Sequence, residues 1–268
     1  MEPVVDTRWL RAHPEAVIAD VRYYLDGRPG RAAYEAGHIP GAVFVDLHAA
    51  LADPPSPQRG RHPFPSPEHF AQQLGALGIG DDDTVVAYDD TGGMMAARLV
   101  WMLRAIGQPA ALLDGGIQAW DGPLETQPAA RPPQTRTPRQ WPTERLAGID
   151  EVAETTAPLL DARAGERFRG EQEPLDPRAG HIPGATNVPT AGNLAANGRF
   201  LPPEELRARL AGTGLPADET PIAYCGSGVS ACHLLLAIEH AGLGTGRLYP
   251  GSWSQWSNDA ERPAEKDG

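Results

Sequence analysis

The 268-residue chain carries a formal charge of −12, with 41% hydrophobic and 22% charged residues. At one domain per ~150 residues this predicts two globular domains and excludes disordered, collagen-like and membrane classes. The acidic balance makes nucleic acid and membrane surfaces unexpected partners, whereas a small anion received by a few arginines and backbone N–H groups is compatible with it.

The N-terminus has no basic stretch running into an apolar segment, and the only cysteines are Cys225 and Cys232. Both features point to a cytoplasmic protein without a disulfide framework. In chain order, the β-branched runs Val17–Val21, Val43–Val45 and Val85–Tyr88 predict buried strands. Met94 to Ile106 carries apolar residues around a helical face and closes at Gly107. A proline-dense stretch from Pro123 to Pro142 follows, a composition that blocks helix and sheet ladders and favours a stiff, extended connection. It sets the expected domains at 1–122 and 146–268, joined by 123–145. A second helix is predicted from Val229 to His240, closing at Gly242. Alternating strands and helices predict, in each half, an α/β domain with a mostly parallel sheet covered by helices on both faces.

The halves repeat the same words in the same order. Asp20-Val21-Arg22 precedes Gly37-His38-Ile39-Pro40-Gly41-Ala42, and Asp161-Ala162-Arg163 precedes Gly180-His181-Ile182-Pro183-Gly184-Ala185. Thr84 to Asp89 matches Thr220 to Cys225, and Leu112 to Trp120 matches Leu248 to Trp256, both at an offset of 136. Two copies at so long a period mean a duplicated domain, with Trp120 and Trp256 as equivalent core residues.

The copies differ where Asp89 stands in the first and Cys225 in the second. Both fall at the carboxyl end of a strand just before a helix, the edge at which open parallel sheets bind ligands. After Cys225 come Gly226, Ser227, Gly228, Val229 and Ser230, a loop small enough for successive backbone N–H groups to converge on one point ahead of a helix N-terminus. Such a cradle stabilises an anionic sulfur, so Cys225 is the candidate nucleophile. Cys232, on the following helix, is read as a buried helical residue, and the spacing of Cys225, Cys232, His233 and His240 lacks the close ligand pairs of a zinc site.

The repeated Asp-x-Arg and Gly-His-Ile-Pro-Gly-Ala words together with the Cys225–Ser230 loop resemble the tandem rhodanese family over nearly the whole chain. The resemblance implies two rhodanese-like domains, the first inactive with Asp89 in the cysteine's place, the second catalytic. The loop is similar to that of the 3-mercaptopyruvate sulfurtransferases, with Ser230 replacing threonine. It implies a Cys225 persulfide, a small anionic sulfur donor (3-mercaptopyruvate or thiosulfate) and, as acceptor, cyanide or a thiol such as thioredoxin or a low-molecular-weight thiol. No metal or organic cofactor is needed. By the same resemblance Arg167 meets the donor's anionic group, which suits the bidentate geometry of guanidinium. Asp161 and Arg163 form a supporting charge pair beneath the loop. The family's second substrate arginine would fall at Asp176, and Arg178 is the expected substitute. Mercaptopyruvate enzymes also carry a Ser-His-Asp arrangement. Ser227 matches the serine and His38 the histidine, and Asp26 is the nearest aspartate, one position displaced.

Two rival functions differ in kind. A cysteine phosphatase or arsenate reductase needs an arginine six residues after the cysteine, where this chain has Ala231. A non-catalytic persulfide relay would share Cys225 but fail to turn over small donors and acceptors.

Overall fold

The computed structural model describes residues 1–129, 131–215 and 219–267. They form two compact units. The first comprises Met1–Asp53, Phe64–Trp141 and Ala196–Phe200, the second Pro54–Pro63, Pro142–Ala195 and Leu201–Gly268. Neither unit is a single stretch of chain, because a short loop of each sequence half belongs to the unit built mainly from the other. The proline-dense segment runs extended along the first unit, where Glu125 exchanges backbone hydrogen bonds with His38 and Gln134 donates to the Gly75 carbonyl.

In the first unit, β1 (Val4–Val5), β2 (Val17–Asp20), β3 (Val43–Phe44), β4 (Val85–Tyr88) and β5 (Ala110–Leu113) form a parallel sheet in the order β1-β5-β4-β2-β3. In the second, β6 (Leu159–Asp161), β7 (Thr186–Asn187), β8 (Ile222–Tyr224) and β9 (Arg247–Leu248) run parallel in the order β7-β6-β8-β9. A parallel bridge from Leu146 to Leu248 takes the place that β1 holds beside β5. The central strands β4 and β8 are buried along their whole length. That is the reason they read as uninterrupted apolar runs rather than as alternating ones. The predicted helices span Ala96–Ala105 and Ser230–His240, and the glycines that close them, Gly107 and Gly242, have φ of +82° and +71°. Trp253 and Trp256 are buried with Ile222, Tyr224 and Tyr249 in the core of the second unit, whereas Trp120 is only partly buried against the first unit's core. Among the described residues no helix is long and apolar enough to cross a membrane.

The repeated words are one tertiary network built twice. Arg22 Nε reaches both carboxylate oxygens of Asp20 at 3.0 Å, and its Nη2 donates to Asp20 (2.6 Å) and to the Gly37 carbonyl (2.7 Å). Arg163 repeats this on Asp161 and the Gly180 carbonyl with the same distances. Tyr88 donates its hydroxyl to Asp20 and accepts from the Ile39 N–H. Tyr224 does the same with Asp161 and Ile182, and burial pushes its hydroxyl pKa so far up that it stays a donor. In each unit, then, the Asp-x-Arg word ties the end of a strand to the Gly-His-Ile-Pro turn. Within this network each buried charge has a bidentate partner, Asp20 with Arg22 and Asp161 with Arg163, the condition under which burial of a charge is tolerated.

Candidate active site

β4 and β8 each end in the residue that distinguishes the copies. In the first unit Asp89 is wholly buried, one carboxylate oxygen accepting the N–H groups of Thr91 and Gly93 and the other those of Met95 and Ala96, all at 2.7–2.9 Å. Burial raises the Asp89 pKa and the four donors offset part of the rise. The loop after the strand is thus a backbone cradle for an anion, and in this copy a carboxylate fills it.

In the second unit the corresponding position holds Cys225, 2% exposed, whose sulfur accepts the Gly228 N–H at 3.2 Å. Gly228 has φ +75°, and a Cβ there would stand 2.4 Å from the Pro250 carbonyl oxygen, so the loop closes around the sulfur only with glycine. Val229 is buried and Ser230 begins the helix. Cys232, one turn in, is wholly buried and its thiol donates to the Gly228 carbonyl at 3.3 Å, bracing the loop from beneath. The backbone N–H of Cys225 donates to Ser252 Oγ (3.2 Å), which donates to the Tyr249 carbonyl (2.9 Å).

Ser227 is buried, with its Oγ 2.8 Å from His62 Nδ1. The histidine expected there from the sequence was His38. His38 instead lies wholly buried in the first unit, stacked on Tyr34 at 3.8 Å with Nδ1 on the Tyr34 carbonyl. His181 does the same on Phe168 in the second unit, so the histidine of the repeated word braces its turn in both copies. Asp26 is exposed and paired with Arg28 on the surface.

Arg167 projects beside the loop, with Nη1 3.2 Å from where a Cβ on Gly226 would be. Its Nη2 bonds Glu173 (2.7 Å) and Asp176 (3.1 Å). Asp176 is not an open repulsive charge, because Arg61 and Arg167 clasp its two oxygens. Burial still raises its pKa, against the lowering effect of the hydrogen bond and charge of Arg61. Arg178 does not face the loop. Its guanidinium donates to four backbone carbonyls, those of Trp256, Ser257, Asp259 and Arg262 at 2.6–2.9 Å, and fastens the C-terminal segment. Four of its five N–H donors are taken there, so the structure does not bring Arg178 to the loop as the sequence reading expected.

Arg61, His62 and Glu173 were not singled out from the sequence. Arg61 and His62 come from the Pro54–Pro63 loop, where Ser254 Oγ accepts the Arg61 N–H and Gln255 donates to the Gln58 carbonyl. The available signal was the Arg59-Gly60-Arg61-His62 run in an otherwise acidic chain.

Residues 6–122 and 144–259 each match the model of the rhodanese-like domain. The chain belongs to the rhodanese-like family. It is 42% identical to a probable 3-mercaptopyruvate sulfurtransferase from Pseudomonas aeruginosa, over 94% of this chain and 93% of that protein. To a putative thiosulfate sulfurtransferase from Mycobacterium tuberculosis it is 41% identical, over 95% and 92%. The solved 3-mercaptopyruvate sulfurtransferase of Escherichia coli superposes with a TM-score of 0.82 at 36% identity, covering 95% of this rhodanese-like chain and all (100%) of that one.

Proposed function

We propose that this chain is a sulfurtransferase that carries sulfur on Cys225 and takes it from 3-mercaptopyruvate in preference to thiosulfate. The observation that carries the donor preference is the buried Ser227–His62 pair, 2.8 Å apart, two residues from the nucleophile. The Cys225 thiolate attacks the donor's sulfur, the carbon–sulfur bond breaks, and the electron pair leaves on the enolate of pyruvate. The enolate carbon needs a proton. Ser227 supplies it and is reprotonated through His62, a contribution of ~10²–10⁴ in rate for a positioned acid. Cys225 is left as a persulfide, its outer sulfur stabilised by the N–H groups of its own loop, the counterpart of the loop that holds the Asp89 carboxylate in the first unit. An acceptor thiolate or cyanide then attacks the outer sulfur and regenerates the Cys225 thiolate. Sulfite, leaving from thiosulfate, needs no carbon protonation and gains nothing from Ser227.

The Arg167 guanidinium supports recognition of the donor's anionic group. Gly226 admits it, since a side chain there would meet Arg167 and Arg61. The test is kcat/KM for both donors with a thiol acceptor, in wild type and in Ser227→Ala. The proposal expects mercaptopyruvate to be the better donor and Ser227→Ala to impair it selectively. A higher value for thiosulfate, or equal losses for both donors, would remove the preference.

A further inference from the structure

We propose that Ser254 is the positioning residue that sets Ser227 and His62 at bonding distance, by holding the loop of each at once. The proposal rests on the Ser227–His62 pair serving the mercaptopyruvate reaction as argued above. The two residues reach the site on separate segments, His62 on Pro54–Pro63 and Ser227 on the loop after β8, so their 2.8 Å separation depends on the register between those segments. Ser254 lies in the short helix Ser252–Trp256 and is 1% exposed. Its backbone N–H donates to the Gly226 carbonyl at 2.8 Å, one residue before Ser227. Its Oγ accepts the Arg61 N–H at 3.0 Å, one residue before His62. The hydroxyl proton goes to the Gly251 carbonyl at 3.0 Å, which leaves the Oγ lone pairs for the incoming loop.

Close approach of the loop to Ser254 requires Gly60, whose φ is +85° and where a Cβ would stand 2.7 Å from both Ser254 Oγ and the Gly251 carbonyl oxygen. Asn258 fixes Ser254 in turn, its Nδ2 donating to the Ser254 carbonyl at 2.7 Å. The first unit divides the same work between two residues. There Ala196–Phe200 comes in from the other half of the chain, and the Phe200 N–H is taken by the Asp114 carboxylate at 2.8 Å. Position 118, equivalent to 254 by the offset of 136, is a glutamine whose side chain donates to the Asp90 carbonyl at 3.0 Å. Asp114 thus holds the incoming segment and Gln118 the loop after β4. In the unit that carries the Ser227–His62 pair, one residue with a single side-chain torsion makes both contacts, so the distance between the two loops is set by one short, buried side chain. Misplacing a reacting group by about 1 Å can cost on the order of a hundredfold in rate, which is why that distance matters to a proton route.

Two variants of the full chain disturb the joint from opposite sides. Ser254→Ala removes the acceptor of the Arg61 N–H, and Gly60→Ala pushes the loop away from an intact Ser254. Each is compared with wild type, Ser227→Ala and His62→Ala for turnover of 3-mercaptopyruvate and of thiosulfate. Thiosulfate transfer needs Cys225 and its loop but no carbon protonation, so it reports whether the rest of the site is still assembled. Both variants should lower kcat for mercaptopyruvate roughly ten- to hundredfold, through kcat rather than KM, and leave thiosulfate turnover near that of wild type. In the His62→Ala background, Ser254→Ala should cost no further mercaptopyruvate turnover, because its effect passes through His62. If neither variant impairs mercaptopyruvate selectively, or if Ser254→Ala costs as much without His62 as with it, the proposal is overturned while the Ser227–His62 pair stands. A Ser227→Ala variant that impairs both donors equally overturns the functional reading and this proposal with it.

Discussion

Ser252 is the only non-glycine residue with positive φ among the described residues, at +52°, and it is wholly buried. Its counterpart in the first unit is Gly116, at +58°, where a Cβ would lie 2.2 Å from the Asp89 carbonyl oxygen. A left-handed conformation costs a side-chain-bearing residue ~1–2 kcal/mol, so something must offset it in the second unit. The hydroxyl does so by accepting the Cys225 N–H at 3.2 Å and donating to the Tyr249 carbonyl at 2.9 Å. Ser252→Ala keeps the strain, loses both bonds and strands a buried N–H, for a destabilisation of ~2–4 kcal/mol. Ser252→Gly also loses the bonds but relieves the strain. After allowing ~0.4–1 kcal/mol for the greater freedom of glycine in the unfolded chain, it should be the more stable of the two by about 1 kcal/mol. Both variants release the backbone of Cys225 and should load sulfur more slowly. Denaturant midpoints and single-turnover loading rates check this, and an alanine variant as stable and as fast as wild type would refute the reasoning.

Removing Ser227 and His62 singly and together should give non-additive losses with mercaptopyruvate, because the two act as one proton route; steady-state rates of pyruvate release measure the coupling. Arg178→Ala strips four carbonyl contacts and should destabilise the fold by a few kcal/mol while leaving donor KM unchanged, a separation that thermal unfolding and kinetics together resolve. The groups facing Asp176 are Arg61, Arg167 and Glu173, and burial raises the Asp176 pKa, so acidification protonates it above the usual carboxylate range and removes one negative charge from the donor site. Donor KM should therefore fall as pH falls toward that range, more for thiosulfate, and Asp176→Asn should flatten the response.

The fold was legible because the duplication writes the same tertiary network twice. Asp20-x-Arg22 with Gly37-His38, and Asp161-x-Arg163 with Gly180-His181, are short words whose side chains meet one another, so each can be found without the rest of the chain. Cys225 stood out by the same comparison, as a thiol where the other copy has Asp89. The family resemblance gave His38 a catalytic role, yet His38 and its counterpart His181 share a bracing role in the two units. Internal comparison fails where a residue has no counterpart. His62 and Arg61 lie on a loop that belongs to the second unit although it comes from the first half of the chain, and internal comparison cannot see such a residue. Arg178 is two positions from Asp176, but spacing does not report that four carbonyls already take four of its five donors.

The central claim is that sulfur travels on Cys225, and intact-mass analysis with peptide mapping after treatment with 3-mercaptopyruvate tests it most directly. Wild type and Cys232→Ser should each gain one sulfur, mapped to Cys225 and lost on adding cyanide or a thiol, while Cys225→Ser gains none. Sulfur retained by Cys225→Ser, or mapped to Cys232 in the wild type, would contradict the account.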